Sequence, residues 1–324
     1  MNFFISGILL FTLTLLISSN IENGVKTEVK ERRSYTANFP DNTVIVNDSE
    51  ISDGSISVNQ IDLPTTSDVK KILVEKDGKY QWVERIIDQD ITLNVPTDYT
   101  DINMALDYLN DKTIMPNATV TIKVSDGVYN YSGPISIDHS DGMNVQIIGN
   151  VSSPSLVVLN CSDSCFSIQD NKRVGFIDGM TLVGSSSSWT FGIRTQGHSW
   201  ANIGNNIIIY DFHIGIGVEN NSYALIGEAE VYSNVYQGIR VNGSSVVTSS
   251  ANVRDNHDIG YSAIRHSVIT LTDTARSINN TTSGVRADIG SAIYADNPGT
   301  VISGNGTNFS PLKDSEGNNE SYIR

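Results

Sequence analysis

Apolar and polar residues alternate around five evenly spaced glycines in the second half of the chain. The glycines are Gly192, Gly215, Gly238, Gly260 and Gly284, so the successive steps are 23, 23, 22 and 24 residues. Mostly apolar residues stand one and three positions after them: Ile193, Ile216, Ile239, Tyr261 and Val285, then Thr195, Val218, Val241, Ala263 and Ala287. Alternation with period two predicts strands. A repeat of about 23 residues predicts a solenoid in which each repeat contacts only its neighbours.

Short polar residues recur four positions before the later glycines: Asp211, Asn234, Asn256 and Asn280. Such side chains tolerate left-handed turns and can hydrogen-bond along a stack, so the column predicts an asparagine ladder at a turn. A leucine-rich solenoid would need a dense Leu pattern with a helix in each repeat. Gly, Ser, Asn, Val and Ile dominate here instead. The repeats are therefore predicted to be coils of a parallel β-helix, stacked at about 4.8 Å per coil.

The patterns divide the chain into four segments. Residues 1–25 are hydrophobic, residues 26–90 form a small β-rich head or linker, residues 91–310 form the β-helix, and residues 311–324 form a tail that leaves it as a loop or an interchain contact. In the head, alternation around the turn residues Asp77 and Gly78 predicts a hairpin.

A short amphipathic helix is predicted just before the first coil. Its apolar residues fall at helical spacing behind Thr100 as candidate N-cap, and they are Ile102, Ala105, Leu106 and Leu109. The first coil of a solenoid exposes an open edge and core, so this helix is interpreted as a cap.

Charge and cysteine content limit the possible partners. A net charge of −15 with a pI near 4.6 argues against binding of nucleic acid or an anionic membrane surface by bulk electrostatics. Cys161 and Cys165 cannot make a disulfide framework or a zinc site, and we interpret them as inert small residues in a strand and turn. No metal or other cofactor is expected.

The apolar segment Phe3–Ser19 is the one stretch of the chain that suggests contact with a membrane. It is interpreted as a signal peptide or an anchor, although no Lys or Arg precedes it and no Ala-x-Ala site follows. A structural role at a particle or trimer interface is the alternative. Membrane contact is expected only through this segment, if it is retained.

Arg194, Arg240 and Arg286 follow alternate glycines by two positions and are predicted to form one outward column. Neighbouring members would lie roughly 10 Å apart. Such a row could bind the carboxylates of an acidic polysaccharide. The alternative is a solvated face. An outward Arg on a solenoid is expected to bury little, so replacement of Arg240 is expected to leave stability nearly unchanged.

Two carboxylates and two aromatic rings complete the candidate site. Glu228 and Asp273 each follow a glycine by 13 residues, which predicts a separation of roughly 10 Å, near the upper end of the range for an inverting glycosidase pair. Any solenoid with charged outward columns produces such pairs, so chance is the alternative. Trp200 and Tyr232 offer faces on which sugars could dock, unless they fill the core or the coil ends.

The helix, the stretch "ATVTIKVSDGVYNYSGPISIDHSDGMNVQIIGN" and the regular coils together resemble a known group. They are similar to the right-handed parallel β-helix proteins of the pectin-lyase-like superfamily, and most similar to the β-helical tailspike and tail-fibre proteins of bacteriophages. The resemblance covers residues 91–310. It implies an all-β, right-handed parallel β-helix of about 23 residues per coil, a homotrimer and a place on a virion or cell surface. The polygalacturonase-type motifs and a pectate-lyase-like calcium site are missing, so no family catalytic residue is carried over.

Three functions are compatible with these patterns. The leading hypothesis is a tailspike-like surface or virion protein that binds bacterial or other cell-surface polysaccharide. The rival is a secreted polysaccharide lyase or glycoside hydrolase of the same fold. The third is a structural spacer without a ligand. Whether the chain is an enzyme therefore stays open at this point.

Overall fold

The structure is a computed structural model that describes residues 35–39, 42–46, 71–76, 79–186, 189–272, 274–311 and 321–324. The hydrophobic segment 1–25, with its predicted signal or anchor, lies outside these residues. The chain divides into two units, residues 1–87 and residues 88–324.

The first unit contains two described antiparallel hairpins and a short strand. Tyr35–Phe39 pairs with Asn42–Val46, and Lys71–Lys76 pairs with Lys79–Glu84. The second pairing confirms the predicted hairpin, although its turn residues Asp77 and Gly78 lie outside the described part. The short strand is Ile86–Ile87.

The second unit is a parallel β-solenoid of about nine turns, with about 24 residues per turn. Each full turn contributes one strand to each of three parallel sheets. Sheet 1 consists of Ile135–Ser136, Phe166–Gln169, Phe191–Gln196, Ile214–Glu219, Gln237–Asn242, Ile259–Ile264, Ser283–Asp288 and Thr307–Ser310. Sheet 2 consists of Ile91–Val95, Val120–Val124, Val145–Ile148, Arg173–Asp178, Trp200–Ile203, Tyr223–Ile226, Val246–Ser249, Val268–Leu271, Ala292–Tyr294 and Tyr322–Ile323. Sheet 3 consists of Gly127–Tyr131, Val157–Cys161, Met180–Val183, Ile207–Tyr210, Glu230–Tyr232, Asn252–Arg254, Arg276–Ile278 and Val301–Ser303.

The core lies between the three sheets, and its sheet 1 wall is the predicted one. The residues directly after the five glycines pair in register from coil to coil and are fully buried: Ile193, Ile216, Ile239, Tyr261 and Val285. The glycines allow the close approach of neighbouring backbone. A Cβ on Gly215 would lie 2.4 Å from Val231 Cγ1 and 2.7 Å from the carbonyl oxygen of Gly238, closer than side-chain carbons are found.

The asparagine ladder is present at the turn from sheet 3 to sheet 1. The backbone and side-chain amides of Asn234 both donate to Oδ1 of Asn256, at 3.1 and 2.9 Å. Asn256 donates in the same way to Asn280, and Asn280 to Asn305. The first three asparagines are at most 1% exposed, so each rung fills the hydrogen-bonding needs of buried amides.

The prediction that Asp211 belongs to this ladder is wrong. Tyr210 pairs with Tyr232 in register, which places Phe212 opposite Asn234. Phe212 is fully buried and its backbone N–H donates to Asn234 Oδ1 at 3.2 Å. The coil of Asn234 has one extra residue before its glycine, which shifts the count by one position. Asp211 instead holds the left-handed turn position, with φ of 62°.

A second ladder, which the sequence analysis missed, joins the turns from sheet 1 to sheet 2. Backbone N–H groups of successive serines donate to the Oγ of the serine in the next coil, at 3.1 to 3.3 Å. The members of this serine ladder are buried: Ser199, Ser222, Ser245, Ser267 and Ser291. Each of them follows one of the five glycines by seven residues.

The predicted capping helix is Ile102–Leu109. All four of its predicted apolar residues are buried, which confirms the amphipathic pattern. Its N-cap is Asp101 and not Thr100, because Asp101 Oδ1 accepts the backbone N–H of Met104 at 3.0 Å. Two short 3₁₀ helices, Gly142–Asn144 and Pro154–Leu156, and the strand Thr113–Ile114 complete the elements of this unit.

The C-terminal end returns to the coil stack, in contrast to the predicted tail that leaves it. Tyr322–Ile323 pairs in parallel with Ala292–Tyr294, and Ile323 is fully buried. Ser321 Oγ accepts the N–H of Gly290 at 2.9 Å. Serine and apolar residues near the C-terminus thus add a last strand to sheet 2.

Cys161 and Cys165 form a disulfide, so the interpretation of two inert residues is wrong. Cys161 ends a strand of sheet 3, and Cys165 immediately precedes a strand of sheet 1. The turn between them places their Cα atoms 5.3 Å apart, within the range that a disulfide spans.

Candidate functional site

The predicted site residues lie on three different sheets. Arg194, Arg240 and Arg286 are in sheet 1, Trp200 is in sheet 2 and Tyr232 is in sheet 3. The structure therefore does not assemble them into one site. Each outer face has its own set of contacts and is described in turn.

The arginine column on sheet 1 is ion-paired. Glu219 accepts from Nε and Nη2 of Arg194 through Oε2, at 3.1 and 2.9 Å, and its Oε1 lies 3.2 Å from Nη1 of Arg240. Arg286 instead pairs with Asp288 of its own strand at 3.0 Å. The column thus consists of one shared ion pair and one separate pair, rather than three free cations.

The expectation that an outward Arg buries little is wrong for the central member. The side chain of Arg240 is 15% exposed, compared with 31% for Arg194 and 43% for Arg286. Arg240 packs between Glu219 and the ring of Trp189, whose centroid lies 5.9 Å from its guanidinium carbon. Arg286 pairs with Asp288 of its own strand instead and stays more exposed.

Three rings lie in a row beside Arg240 at the entrance to sheet 1, with Trp189 tilted against His213 and His213 stacked on Tyr236. The ring centroids of Trp189 and His213 lie 5.2 Å apart, and those of His213 and Tyr236 lie 5.3 Å apart. Trp189 is 64% exposed. Burial, and secondly the charge of Arg240, lower the pKa of His213, so its imidazole is neutral at pH 7. We call Trp189, His213, Tyr236, Arg240 and Glu219 the aromatic–arginine cluster.

Sheet 2 has an open groove of about 350 Å³ on its outer face. Its floor crosses four successive coils, and its lining residues are Phe176, Asp178, Asn202, Ile203, Gly204, Asn205, Leu225, Ile226, Gly227, Thr248 and Ser250. Four coils span about 14 Å along the stack. The lining combines apolar side chains with amides and hydroxyls and includes neither Lys nor Arg.

Trp200 and Tyr223 extend the surface of this groove. Their rings stack with centroids 6.4 Å apart and planes at 14°. Each ring stands two residues before a groove residue of its own strand, Asn202 or Leu225, and residues two apart lie on the same face of a sheet. The rings and the groove therefore form one continuous outer surface.

Two acidic residues, Asp178 and Glu228, contact the segment of Asn205 and Asn206. Asp178 is 5% exposed and accepts the backbone N–H of Asn206 at 2.7 Å. Asn205 Oδ1 accepts the backbone N–H of Glu228, the predicted catalytic residue, at 3.0 Å. Glu228 is exposed. Its predicted partner Asp273 lies outside the described residues, so the spacing of that pair stays a prediction.

Tyr232 belongs to a separate cluster on sheet 3. Its ring stacks on that of Tyr210 with centroids 5.2 Å apart, and the guanidinium carbon of Arg254 lies 4.2 Å from its centroid. Arg254 also pairs with Glu230 at 3.3 Å and Asp255 at 2.9 Å. Burial, and secondly Tyr210, raise the pKa of Tyr232. The ring of Tyr232 therefore packs against Tyr210 and Arg254 of the protein itself.

The described ranges contain no group of three His, Cys, Asp or Glu side chains that could hold a metal ion. Among the same residues, no helix has the length and apolarity to cross a membrane. In comparisons with known proteins, no family model matches this chain and no curated protein is significantly similar to it.

The sequence analysis did not group the rings of this cluster, and it missed Glu219. The spacing of these residues from the repeated glycines could have indicated the cluster. Trp189 stands three residues before its glycine, while His213 and Tyr236 stand two before theirs, so three successive coils place a ring at nearly the same point. Glu219 follows Gly215 by four residues, two strand positions after Gly217, the residue that pairs with Arg194 and Arg240 on the adjacent coils.

Proposed function

We propose that this protein binds a cell-surface polysaccharide along the outer face of sheet 2. The observation that carries the proposal is the groove that runs across four coils beside the stacked rings of Trp200 and Tyr223. A polymer with a repeated unit fits a surface that repeats along the same axis. Sugars combine apolar ring faces with hydroxyl groups, which match aromatic rings next to amides and hydroxyls.

The lining favours a neutral stretch of polymer. Asp178 lines the groove and Glu228 stands beside its Gly227, so an acidic sugar here would meet carboxylates of its own sign. Asn202, Thr248 and Asn205 offer uncharged donors and acceptors. Uncharged hydroxyls of a neutral glycan can bond to all three.

We place the protein on a virion or extracellular surface, as the resemblance to tailspike-like proteins of the pectin-lyase-like superfamily implies. The disulfide between Cys161 and Cys165 supports this location, because disulfides form and persist in oxidising compartments. A homotrimer is part of the same proposal. The parallel solenoid is compatible with such a protein, but the fold alone does not select it, because solenoids of this kind carry many functions.

Binding of soluble polysaccharides from a glycan panel tests the proposal. A bulky substitution inside the groove, Thr248→Phe, should weaken binding by about tenfold or more, a loss of about 1.4 kcal/mol. Thr270 pairs with Thr248 in register on the next coil and does not line the groove, so Thr270→Phe is the matched control. Equal binding by the two variants would contradict the groove as the site.

The same panel separates the alternative functions. Incubation with each polymer, followed by analysis of released oligosaccharides, detects a lyase or hydrolase. Loss of such release in Glu228→Gln would then assign Glu228 to catalysis. An absence of both binding and release across the panel would favour the structural spacer.

A further inference from the structure

Trp189 of the aromatic–arginine cluster is unusual in its solvent exposure and in its backbone conformation. The residue is 64% exposed, and its backbone adopts a left-handed conformation with φ of 62°. Bulky side chains rarely adopt this region, and such conformations concentrate at functional sites. One side of the indole rests against His213, and the guanidinium of Arg240 approaches it to 5.9 Å. The ring is thus held in place while much of its surface faces solvent.

The charges beneath this ring do not balance. Arg194 and Arg240 share the single carboxylate of Glu219, which leaves one positive charge in the ion-paired group. Arg194 uses two of its donors on Glu219. Arg240 lies 3.2 Å from Glu219 and 5.9 Å from the ring centroid of Trp189, and its charge also acts on His213. Its Nε and Nη2 make no hydrogen bond within the described residues, and 15% of the side chain faces solvent, so a ligand would reach these donors from that exposed edge.

Buried polar atoms lie on the strand of Arg240 and on the strand that pairs with it. Gln237 and Asn242 are on the strand of Arg240, and Ser262 pairs with Arg240 in register. Their Oε1, Oδ1 and Oγ atoms are buried without a hydrogen-bond partner in the described structure, and all three residues are at least nine-tenths buried. Buried polar atoms are normally paired. A sugar hydroxyl or a bridging water that reaches these atoms beside Arg240 would satisfy them.

We infer that the aromatic–arginine cluster is a second binding site, specific for a sugar ring that bears a carboxylate. The apolar face of the ring packs on Trp189, and the carboxylate accepts hydrogen bonds from Arg240, whose planar donors suit it. The unmatched positive charge of Arg194, Arg240 and Glu219 favours an anion. This site is on sheet 1, so it does not rest on the proposed function of the groove on sheet 2.

A uronic acid oligosaccharide and its carboxyl-reduced counterpart are the probes, measured by calorimetry on the full chain. The acidic oligosaccharide should bind at least about tenfold more tightly, the effect of one charge-assisted hydrogen-bonded contact. Added salt should weaken it, because the contact is partly exposed. Equal affinity for the two probes would overturn the proposal.

Four variants locate the site. Trp189→Ala and Arg240→Met should each remove at least about tenfold in affinity for the acidic probe, whereas Arg286→Met, in the same column with its own Asp288, should not change it. Thr248→Phe, which blocks the groove, should also leave it unchanged. Trp189 is exposed, so its variant reports on binding even if Arg240→Met fails to fold. A loss with Thr248→Phe but none with Trp189→Ala would move acidic binding to the groove and refute this site.

Discussion

The asparagine ladder and the arginine column repeat one residue type along the same stack, but their members differ in uniformity. Asn234, Asn256 and Asn280 are all at most 1% exposed and make the same bonds to the next coil. The three arginine side chains range from 15% to 43% exposed and have different partners. A repeated position therefore has a repeated environment only when its neighbours repeat as well.

The cause lies in what each column contacts. A ladder residue meets the same residue one coil away, so the period that places it also supplies its partner. An outward arginine meets whichever acid lies nearby, which is Glu219 for Arg240 and Asp288 for Arg286. The ladders thus hold the coils together. The residues of the outer columns can differ from coil to coil, so they can be used to bind a ligand.

The largest effect is expected from Asn256→Leu. The substitution leaves the backbone and side-chain amides of Asn234 without their acceptor inside the protein. Each buried unpaired group costs about 1–3 kcal/mol, so the free energy of unfolding should fall by at least about 2 kcal/mol. Chemical denaturation measures it, and His257→Leu at the exposed neighbouring position is the control. Equal stability of the two variants would show that the ladder does not hold the coils.

Ser245→Ala should cost less than Asn256→Leu. Ser245 Oγ accepts only the backbone N–H of Ser222 from the neighbouring coil, and it donates to Asn242 O within its own turn. One buried N–H loses its acceptor, which predicts a loss of about 1–2 kcal/mol. Ser250→Ala, at a partly exposed groove position, should be close to neutral. A larger loss for Ser245 than for Asn256 would reverse the order of the two ladders.

The fold could be predicted from the sequence because its determinants repeat. Gly215 and its equivalents, with the buried residue after each, mark the strand and the period from a single chain. Exact turn positions could not be predicted, since the extra residue before Gly238 moved the ladder partner from Asp211 to Phe212. The serine ladder was visible in the spacing, but serine also suits exposed turns, so its burial was not evident.

The candidate site was much less predictable, because it depends on which sheet presents each residue on its outer face. Arg240, Trp200 and Tyr232 are 40 residues apart at most, yet they lie on three different sheets. The groove on sheet 2 forms from the side chains of four coils, and no single repeat displays it. Glu219 pairs with both Arg194 and Arg240, so two members of the column are not free cations. Its own repeat, taken alone, does not distinguish it from a solvated acid.

Removal of Arg240 should affect stability more than removal of Arg286. Arg240→Met breaks a contact with the largely buried Glu219, which still keeps both bonds from Arg194. We therefore expect a loss of about 1 kcal/mol, while Arg286→Met should stay within about 0.5 kcal/mol, as for most exposed positions. Double-mutant cycles with Glu219→Gln and Asp288→Asn measure the two coupling energies. Equal couplings would mean that the two pairs have the same environment after all.

The smallest effect concerns pH and His213. Burial, and then Arg240, lower its pKa in the folded protein below the value of about 6.5 in the unfolded chain. Between these two pKa values the unfolded state binds more protons, so stability rises with pH through that window. Its contribution is complete above about pH 6.5 and is lost as the pH falls toward the folded pKa. His213→Gln should therefore flatten the pH dependence of unfolding on the acid side, whereas His257→Gln at an exposed turn serves as the control. Arg240→Met should flatten it in part, because one of the two causes is then gone. Identical pH profiles for the wild type and His213→Gln would show that the imidazole is not held neutral between Trp189 and Tyr236, and that the outer face of sheet 1 is more open to water than its contacts indicate.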